Sequence, residues 1–199
     1  MKYTFTLFAL FLSLFTTAQS EVESERKLRV GLNYGFNYTL LSSEPKVDDM
    51  LRNWNLGNRF GLVAHYRVSP KLSIKPSVEL SFNDASIFSS IISSFAYSPN
   101  YRTIDIIVPM AYDLGNCSDF YIAFGPGLKV PIEDVQTTAQ YPGVFDLTGE
   151  LHIGSRRTIR RFNLVPELRL SSGLLNINNN PSFQQIRQHN ISLVVSLIR

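Results

Sequence analysis

Three features of the sequence predict an all-β fold, an eight-stranded antiparallel up-and-down transmembrane β-barrel. Large apolar residues alternate with small or polar ones in eight segments of about ten residues or more. Short and long connections between these segments alternate strictly. The apolar faces are wide and aromatic, whereas the opposite faces carry Gly, Ser, Asn and scattered charges. A membrane-spanning barrel requires this arrangement, because lipid surrounds its outer face and ring closure leaves no strand edge unpaired.

The stretch MKYTFTLFALFLSLFTTAQS precedes the first strand and is predicted to begin with a secretory signal peptide. Lys2 provides the positive start, Phe5 to Phe15 form an apolar run, and Thr16-Thr17-Ala18 is a small-residue cleavage site. The alternative is a membrane anchor, but the run is shorter than the roughly 20 residues that a helical span needs. The predicted organisation is a signal peptide at residues 1–18, a short periplasmic N-terminal segment at 19–27 and an outer-membrane β-barrel at 28–199.

The segment LRVGLNYGFNYTL is the first predicted strand. Its even-numbered residues are large and apolar: Leu28, Val30, Leu32, Tyr34, Phe36, Tyr38 and Leu40. Its odd-numbered residues are small or polar: Arg29, Gly31, Asn33, Gly35, Asn37 and Thr39. Successive side chains of a strand point to opposite faces, so this segment has one apolar and one polar face.

Seven more segments continue the pattern. They are Gly57–Val68, Lys71–Phe82, Thr103–Asp113, Asp119–Val130, Val144–Ile153, Arg161–Leu174 and His189–Ile198. Four of them contain a proline, at Pro76, Pro109, Pro126 and Pro166. Proline cannot donate a ladder hydrogen bond, so we expect a bulge or a kink at these positions.

The connections favour a membrane barrel with both chain ends in the periplasm. The short ones are Ser69-Pro70, Leu114–Ser118 and Gly154–Thr158. The long ones are Leu41–Leu56, Asn83–Tyr101, Pro131–Gly143 and Asn176–Arg187. Transmembrane barrels have short periplasmic turns and long outer loops, and an even strand count returns the chain to the side where it began.

The polar faces are predicted to fill the interior of the barrel. Eight strands leave room only for side chains, and unpaired buried charges are costly, so we expect the inward charges to pair. These charges are Arg59, Arg67, Lys75, Glu79, Asp105, Lys129, Glu167 and Arg169. The alternative fold, a soluble secreted ligand-binding barrel, would instead place its large apolar residues inside.

The composition excludes several classes of function. The formal net charge of +3 and a charged fraction of 18% are too mild for a nucleic-acid binder, so we expect no nucleic-acid partner. Cys117 is the one cysteine, and no Cys/His spacing indicates zinc. We predict no catalytic, cofactor-binding or metal-binding residues, no cofactor, and no enzyme activity.

Several segments also resemble a known family. GLNYGFNYTLL, FGLVAHYRVSPKLSIKPSVELSF, FYIAFGPGL and VPELRLSSGLLNI are similar, in order and spacing, to the PorT-like outer-membrane β-barrel family of Bacteroidota. The resemblance covers roughly Leu28 to Leu197. It implies a barrel in the bacterial outer membrane, usually without a catalytic role. The founding member assists the type IX secretion system, so the expected partners are outer-membrane lipid and a periplasmic or secretion-system protein.

Three sites leave alternatives open. An outer-membrane lipid hydrolase would need a histidine and a serine at the outer rim, where His189 and Ser182 are the candidates, although no nucleophile signature accompanies them. The run RRTIRR, Arg156 to Arg161, is either a dock for an acidic periplasmic partner or a basic turn beside anionic lipid. The apolar stretch Ile87 to Tyr97 either contacts a partner or the barrel mouth, or belongs to strands that extend beyond the membrane.

Overall fold

The computed structural model describes residues 27–44, 50–54, 56–83, 85–89, 96–97, 101–115, 119–132, 145–159, 161–177 and 185–199. These residues form fourteen strands. The strands are β1 (Leu28–Glu44), β2 (Met50–Trp54), β3 (Leu56–Arg67), β4 (Leu72–Ile74), β5 (Ser77–Asn83), β6 (Ala85–Ser89), β7 (Ala96–Tyr97), β8 (Tyr101–Ile107), β9 (Met110–Asp113), β10 (Phe120–Pro131), β11 (Asp146–Ser155), β12 (Arg157–Ile159), β13 (Phe162–Gly173) and β14 (Gln185–Ile198). The predicted signal peptide and most of segment 19–27 lie outside the described residues.

The strands close into an antiparallel ring. The chain runs around it as β1, β3, the consecutive pair β4 and β5, the consecutive pair β8 and β9, β10, β11, β13 and β14. The last strand then pairs with the first over a long register, from Gly31↔Ile198 to Glu44↔Gln185. Counting each consecutive pair as one spanning strand confirms the predicted eight-stranded up-and-down barrel. Ring closure gives the backbone N–H and C=O groups of both terminal strands hydrogen-bond partners, which lipid could not supply.

Two of the four prolines interrupt a strand, and two do not. Pro76 separates β4 from β5, and Pro109 separates β8 from β9. The carbonyl groups of these prolines still accept ladder bonds, from the Ala64 amide at 2.8 Å and the Lys75 amide at 2.9 Å. The expectation is wrong for Pro126 and Pro166, because β10 and β13 continue through them.

Two connections differ from their predicted form. The hairpin between β11 and β13 extends past Gly154–Thr158, because β12 pairs with the start of β13 through Arg157↔Leu164 and Ile159↔Phe162. At the opposite end, β6 and β7 join β2 in a separate three-stranded sheet. The described parts of Ile87 to Tyr97 lie in β6 and β7, and the β2–β6 pairing from Trp54↔Ala85 to Met50↔Ser89 follows the β3–β5 pairing that reaches Asn58↔Phe82.

The faces of the ring are those that the alternation predicts. Exposed apolar side chains cover the outside: Leu32, Tyr34, Phe36, Phe60, Leu62, Val78, Ile106, Phe124, Leu147, Leu168, Leu170, Leu193 and Val195. Buried polar side chains fill the inside: Asn33, Asn37, Arg59, Lys75, Glu79, Ser81, Asp105, Thr148, Glu150, Glu167, Arg169, Asn190 and Ser192. A soluble barrel requires the reverse arrangement. The ring is therefore a transmembrane β-barrel, whose outer face suits hydrocarbon.

Both chain ends lie at the end of the barrel that carries the short turns. The Val30 amide donates to the carbonyl of Arg199 at 3.3 Å, and the Arg67 amide donates to the carbonyl of Lys27 at 2.8 Å. We call this the periplasmic end and the opposite end the outer end. No helix in the described part of the chain is long and apolar enough to cross a membrane.

Candidate functional site

A network of ion pairs crosses the middle of the interior. Arg59 contacts two carboxylates on neighbouring strands, with Nε 2.9 Å from Oε2 of Glu79 and Nη2 2.6 Å from Oδ2 of Asp105. Ser81 and Thr103 donate further hydrogen bonds to Asp105, at 2.7 and 2.6 Å. All these side chains are buried. Such a network is stable in a low-dielectric interior only because every charge has a close opposite partner.

Arg169 connects this network to the other side of the barrel. Its Nη1 lies 2.6 Å from Oε1 of Glu79, and its Nη2 lies 2.5 Å from Oε2 of Glu167. A second bond, from Nε of Arg169 to the same Glu167 oxygen, measures 2.8 Å. Glu79 also accepts from the amide of Asn33 at 2.7 Å. Residues from three different strands, β1, β5 and β13, thus meet across the lumen.

Lys75, Tyr121 and Glu167 form the next contact toward the periplasmic end. Lys75 pairs with Glu167, and the Tyr121 hydroxyl donates to the same carboxylate. The Lys75 ammonium also lies 4.2 Å from the centre of the Tyr121 ring, a favourable cation–π distance. The ring has room because residue 154 is glycine: a Cβ there would lie 2.4 Å from the Tyr121 hydroxyl oxygen. Gly154 therefore lets a large aromatic ring lie across the lumen.

Arg156 also contacts the ring of Tyr121 at the periplasmic mouth. Its guanidinium carbon lies 4.9 Å from the ring centre, and its Nη1 lies 2.9 Å from Oδ2 of Asp113. Tyr121 thus contacts two cations, Lys75 inside and Arg156 at the mouth. The ring also joins a buried apolar layer: Val63, Ala111, Ala123, Val165 and Ile198. This layer and the ion pairs obstruct the lumen.

A second polar cluster lies on the β11 side of the barrel. Oε1 of Glu150 accepts hydrogen bonds from Thr148 at 2.6 Å and from Ser171 at 2.7 Å. Nε2 of His152 is 3.7 Å from the other carboxylate oxygen. Lys129 is buried on the neighbouring strand, and its ammonium donates to the side-chain amide oxygen of Asn190 at 3.0 Å.

The prediction that the inward charges pair is confirmed for six of the eight. Three cations and three anions form the network: Arg59, Lys75, Arg169, Glu79, Asp105 and Glu167. Lys129 is buried but has no ion pair within the described residues, whereas Arg67, half-buried at the periplasmic mouth, also interacts with a neighbouring group. Tyr121 and Glu150 are not among the interior residues that the sequence predicted. Tyr121 carried a signal, because it is the one large aromatic among the small residues of its polar face.

The three histidines occupy different environments. His65 and His152 are buried in the interior, as interior histidines are expected to be. His189 lies at the outer end of β14 on the lipid-facing side, with Nε2 3.0 Å from Oγ of Ser42 and Nδ1 3.1 Å from Oγ of Ser172. Ser182, the serine proposed from the sequence, lies outside the described residues.

The arginines of the basic turn Arg156 to Arg161 differ in exposure within the described residues. Arg156 points into the mouth, whereas Arg157 and Arg161 are exposed, and Arg157 is 3.5 Å from an equally exposed Asp119. Lys71 and Arg199 are exposed at the same end. In the described ranges, no group of three His, Cys, Asp or Glu side chains is placed to hold a metal ion.

No protein-family model matches the sequence, and no curated protein matches it. Several solved outer-membrane proteins are similar in structure, with TM-scores below 0.5 for the three that follow. Ail, the attachment invasion locus protein of Yersinia pestis, in complex with the heparin analogue sucrose octasulfate, is 8% identical with a TM-score of 0.46, covering 87% of this chain and 99% of Ail. Neisserial surface protein A (NspA) is 13% identical with a TM-score of 0.48, and the match covers 84% of this chain and 95% of NspA. The outer membrane protein AlkL, solved in DMPC lipid bilayers, is 13% identical with a TM-score of 0.47, and the match covers 91% of this chain and 95% of AlkL.

The assignment of this chain follows from its own geometry. The closed ring, the apolar outer face and the polar interior identify a bacterial outer-membrane β-barrel. The size of the ring and its obstructed lumen then limit what the barrel does.

Proposed function

We propose that this chain is a non-conducting, non-enzymatic outer-membrane barrel that serves as a structural or secretion-accessory protein. The finer part of the proposal, a role in type IX secretion like that of the PorT-like family of Bacteroidota, depends on the sequence resemblance. A periplasmic or secretion-system protein would be its partner, and outer-membrane lipid its surroundings.

The obstructed lumen is the observation that carries the proposal. Arg59 and Arg169 span the interior with Glu79 and Glu167, and Tyr121 lies across the periplasmic half. Open aqueous channels in this class of protein generally have about sixteen strands or more. A barrel without a passage acts through its rims and loops, so the exposed ends are where a partner would bind.

The exposed cations at the periplasmic rim support a partner on that side. Arg157, Arg161, Lys71 and Arg199 are exposed there, and the nearby acid Asp119 neutralises one of them. Surface charges of one sign steer an oppositely charged partner to its docking site. An acidic segment of a periplasmic protein has the matching chemistry.

The test is deletion of the gene in the native producer, followed by measurement of type IX cargo at the cell surface. We expect less cargo at the surface, restored by the wild-type gene but not by an Arg157→Glu, Arg161→Glu variant. The matched control reverses two cations at the outer end, Arg102→Glu and Arg187→Glu, and should restore secretion. Unchanged secretion in the deletion strain would reject the type IX role.

Planar-bilayer recordings test the closed lumen separately. The purified barrel should insert without sustained current, because its interior ion pairs and Tyr121 obstruct the lumen. A stable open-channel conductance would contradict the non-conducting assignment, whatever the secretion assay shows.

A second candidate function, an outer-leaflet lipid hydrolase, is favoured by the geometry around His189. If Nδ1 of His189 donates to Ser172, then Nε2 can accept the proton of the Ser42 hydroxyl. Ser42 would attack a lipid ester, His189 would pass the proton to the leaving alcohol, and water would release the acyl group. Ser42, not Ser182, is the nucleophile that this geometry offers.

A fluorophosphonate probe distinguishes the two candidates. We expect the wild-type barrel in detergent to show no more labelling than its Ser42→Ala variant, as the non-enzymatic proposal requires. Ser196→Ala, which removes a buried interior hydroxyl, is the matched control. Labelling that disappears in both Ser42→Ala and His189→Ala would replace the non-enzymatic proposal with the hydrolase.

A further inference from the structure

A groove interrupts the lipid-facing surface on the periplasmic half of the barrel. It has a volume of about 440 Å³, within the range of pockets that hold a small ligand. Its floor follows one row of residues across three neighbouring strands: Ala64 lies opposite Val30, and the Ala64 amide donates to the Pro76 carbonyl at 2.8 Å. Ala64 and Pro76 have short, half-buried side chains, so the surface is recessed along this row.

Two rows of large side chains form the walls of the groove. The wall toward the outer end is a register of branched aliphatic residues on β1, β3, β5 and β8: Leu32, Leu62, Val78 and Ile106. The wall toward the periplasmic end is a second register: Leu28, Tyr66, Ile74 and Met110. Along β3 the walls are four residues apart, or roughly 13 Å, which leaves room for one extended hydrocarbon chain between their side chains.

Arg199 lies where the groove meets the periplasmic interface. Its amide donates to the Val30 carbonyl at 2.9 Å and its carbonyl accepts from the Val30 amide at 3.3 Å, so it extends the floor row by one strand. Its side chain is exposed on the outer face, with the guanidinium carbon 6.0 Å from the centre of the Phe162 ring. From Arg199 the row rises into the membrane, because around the ring it returns to β14 at His189, at the outer end. A cation at headgroup level thus adjoins a groove that enters the hydrocarbon.

We propose that the groove binds one glycerophospholipid of the periplasmic leaflet, with an acyl chain between the two walls and the headgroup phosphate on the guanidinium of Arg199. The groove is continuous with the lipid-facing surface, so a hydrocarbon chain is the group that reaches it. A guanidinium donates paired hydrogen bonds to phosphate oxygens, and a cation at this level attracts anionic headgroups. A chain in the groove contacts protein below it and on both sides, so its dispersion contacts exceed those of a chain elsewhere on the barrel.

Native mass spectrometry of the full mature chain, with phosphatidylglycerol added to the detergent, tests the proposal. We expect one phospholipid to stay on the barrel under conditions that remove the detergent. Ala64→Phe fills the groove, and it should lower the retained fraction by about fivefold or more, because the chain loses its contacts with the floor and walls. The matched control is Gly149→Phe, which adds the same ring to the outer face outside the groove, where an added Cβ meets no other atom within 4 Å. It should leave retention unchanged.

A second pair of variants tests the headgroup contact without altering the groove. Arg199→Gln should lower retention by about fivefold, because one cation beside the headgroup is lost. Arg161→Gln, which removes another exposed cation at the same end, should leave it unchanged.

Four outcomes would overturn the proposal. They are retention that neither Ala64→Phe nor Arg199→Gln lowers, an equal loss in Ala64→Phe and Gly149→Phe, lipid A in place of a phospholipid as the molecule that copurifies, and a dimer that Ala64→Phe dissociates. A mobility shift on boiling, measured for every variant, confirms that the barrel has folded. If Ala64→Phe does not fold, Arg199→Gln and its control decide the result.

Discussion

Replacing Arg169 with methionine is expected to destabilise the barrel by about 3–5 kcal/mol. The side chain is buried and bonds Glu79 at 2.6 Å and Glu167 at 2.5 Å, on two different strands. Its loss leaves two buried carboxylates with one partner fewer, and that uncompensated charge dominates the cost. The measurement is denaturant-induced unfolding of the barrel in lipid vesicles, compared with the wild-type free energy of unfolding.

Two controls separate charge balance from side-chain volume. Arg157→Met removes an exposed cation whose partner Asp119 is 3.5 Å away, and it should cost no more than about 1 kcal/mol. The double variant Glu79→Gln, Arg169→Met keeps the Arg59–Asp105 and Lys75–Glu167 pairs, so it should recover much of the lost stability. If the double variant were less stable than Arg169→Met alone, charge balance would not be what limits the stability of the interior.

Placing an arginine at Leu193 is expected to destabilise the membrane-embedded barrel by about 2–4 kcal/mol. Leu193 is 64% exposed on the outer face, midway along β14, and pairs with Phe36 and Leu168. In lipid, a charge at this depth is removed from water and from any counter-charge. On a soluble barrel, the same exposed substitution would change stability by only about 0.5 kcal/mol. The measurement is again unfolding in lipid vesicles.

Leu197→Arg is the depth control. Leu197 belongs to the same face of the same strand but lies near the periplasmic end, beside the chain terminus. An arginine there reaches the interface, so the expected cost falls to about 0–1 kcal/mol. Equal costs at Leu193 and Leu197 would contradict the placement of a bilayer around this belt.

The alternation of side chains predicted which residues of the candidate sites point inward, but not which of them contact each other. Alternation along β13 predicted that Glu167 and Arg169 point inward, and both are buried there. Alternation could not predict that Tyr121 contacts both Lys75 and Arg156, because these residues come from three separate parts of the chain. Nor could it identify Ser42 as the neighbour of His189, since 147 positions separate them along the chain.

The sequence by itself determined the class of fold, the direction of each face and the chemistry of the interior. These properties are local, because successive side chains of a strand alternate and the solvent on each side selects the residues that face it. The same rule predicted that Leu32, Tyr34 and Phe36 are exposed and that the charged residues Arg59 and Glu79 are buried.

Only the tertiary structure decided which interior groups meet. Arg169 bonds Glu79 across 90 positions of sequence, and Lys75 pairs with Glu167 across 92. Such contacts depend on the order of the strands in the ring and on the stagger that closure imposes, neither of which alternation encodes. The tertiary structure also decided that Pro76 and Pro109 interrupt a strand whereas Pro126 and Pro166 do not. Closure and register, not strand identity, therefore join separate charges into one network that obstructs the lumen.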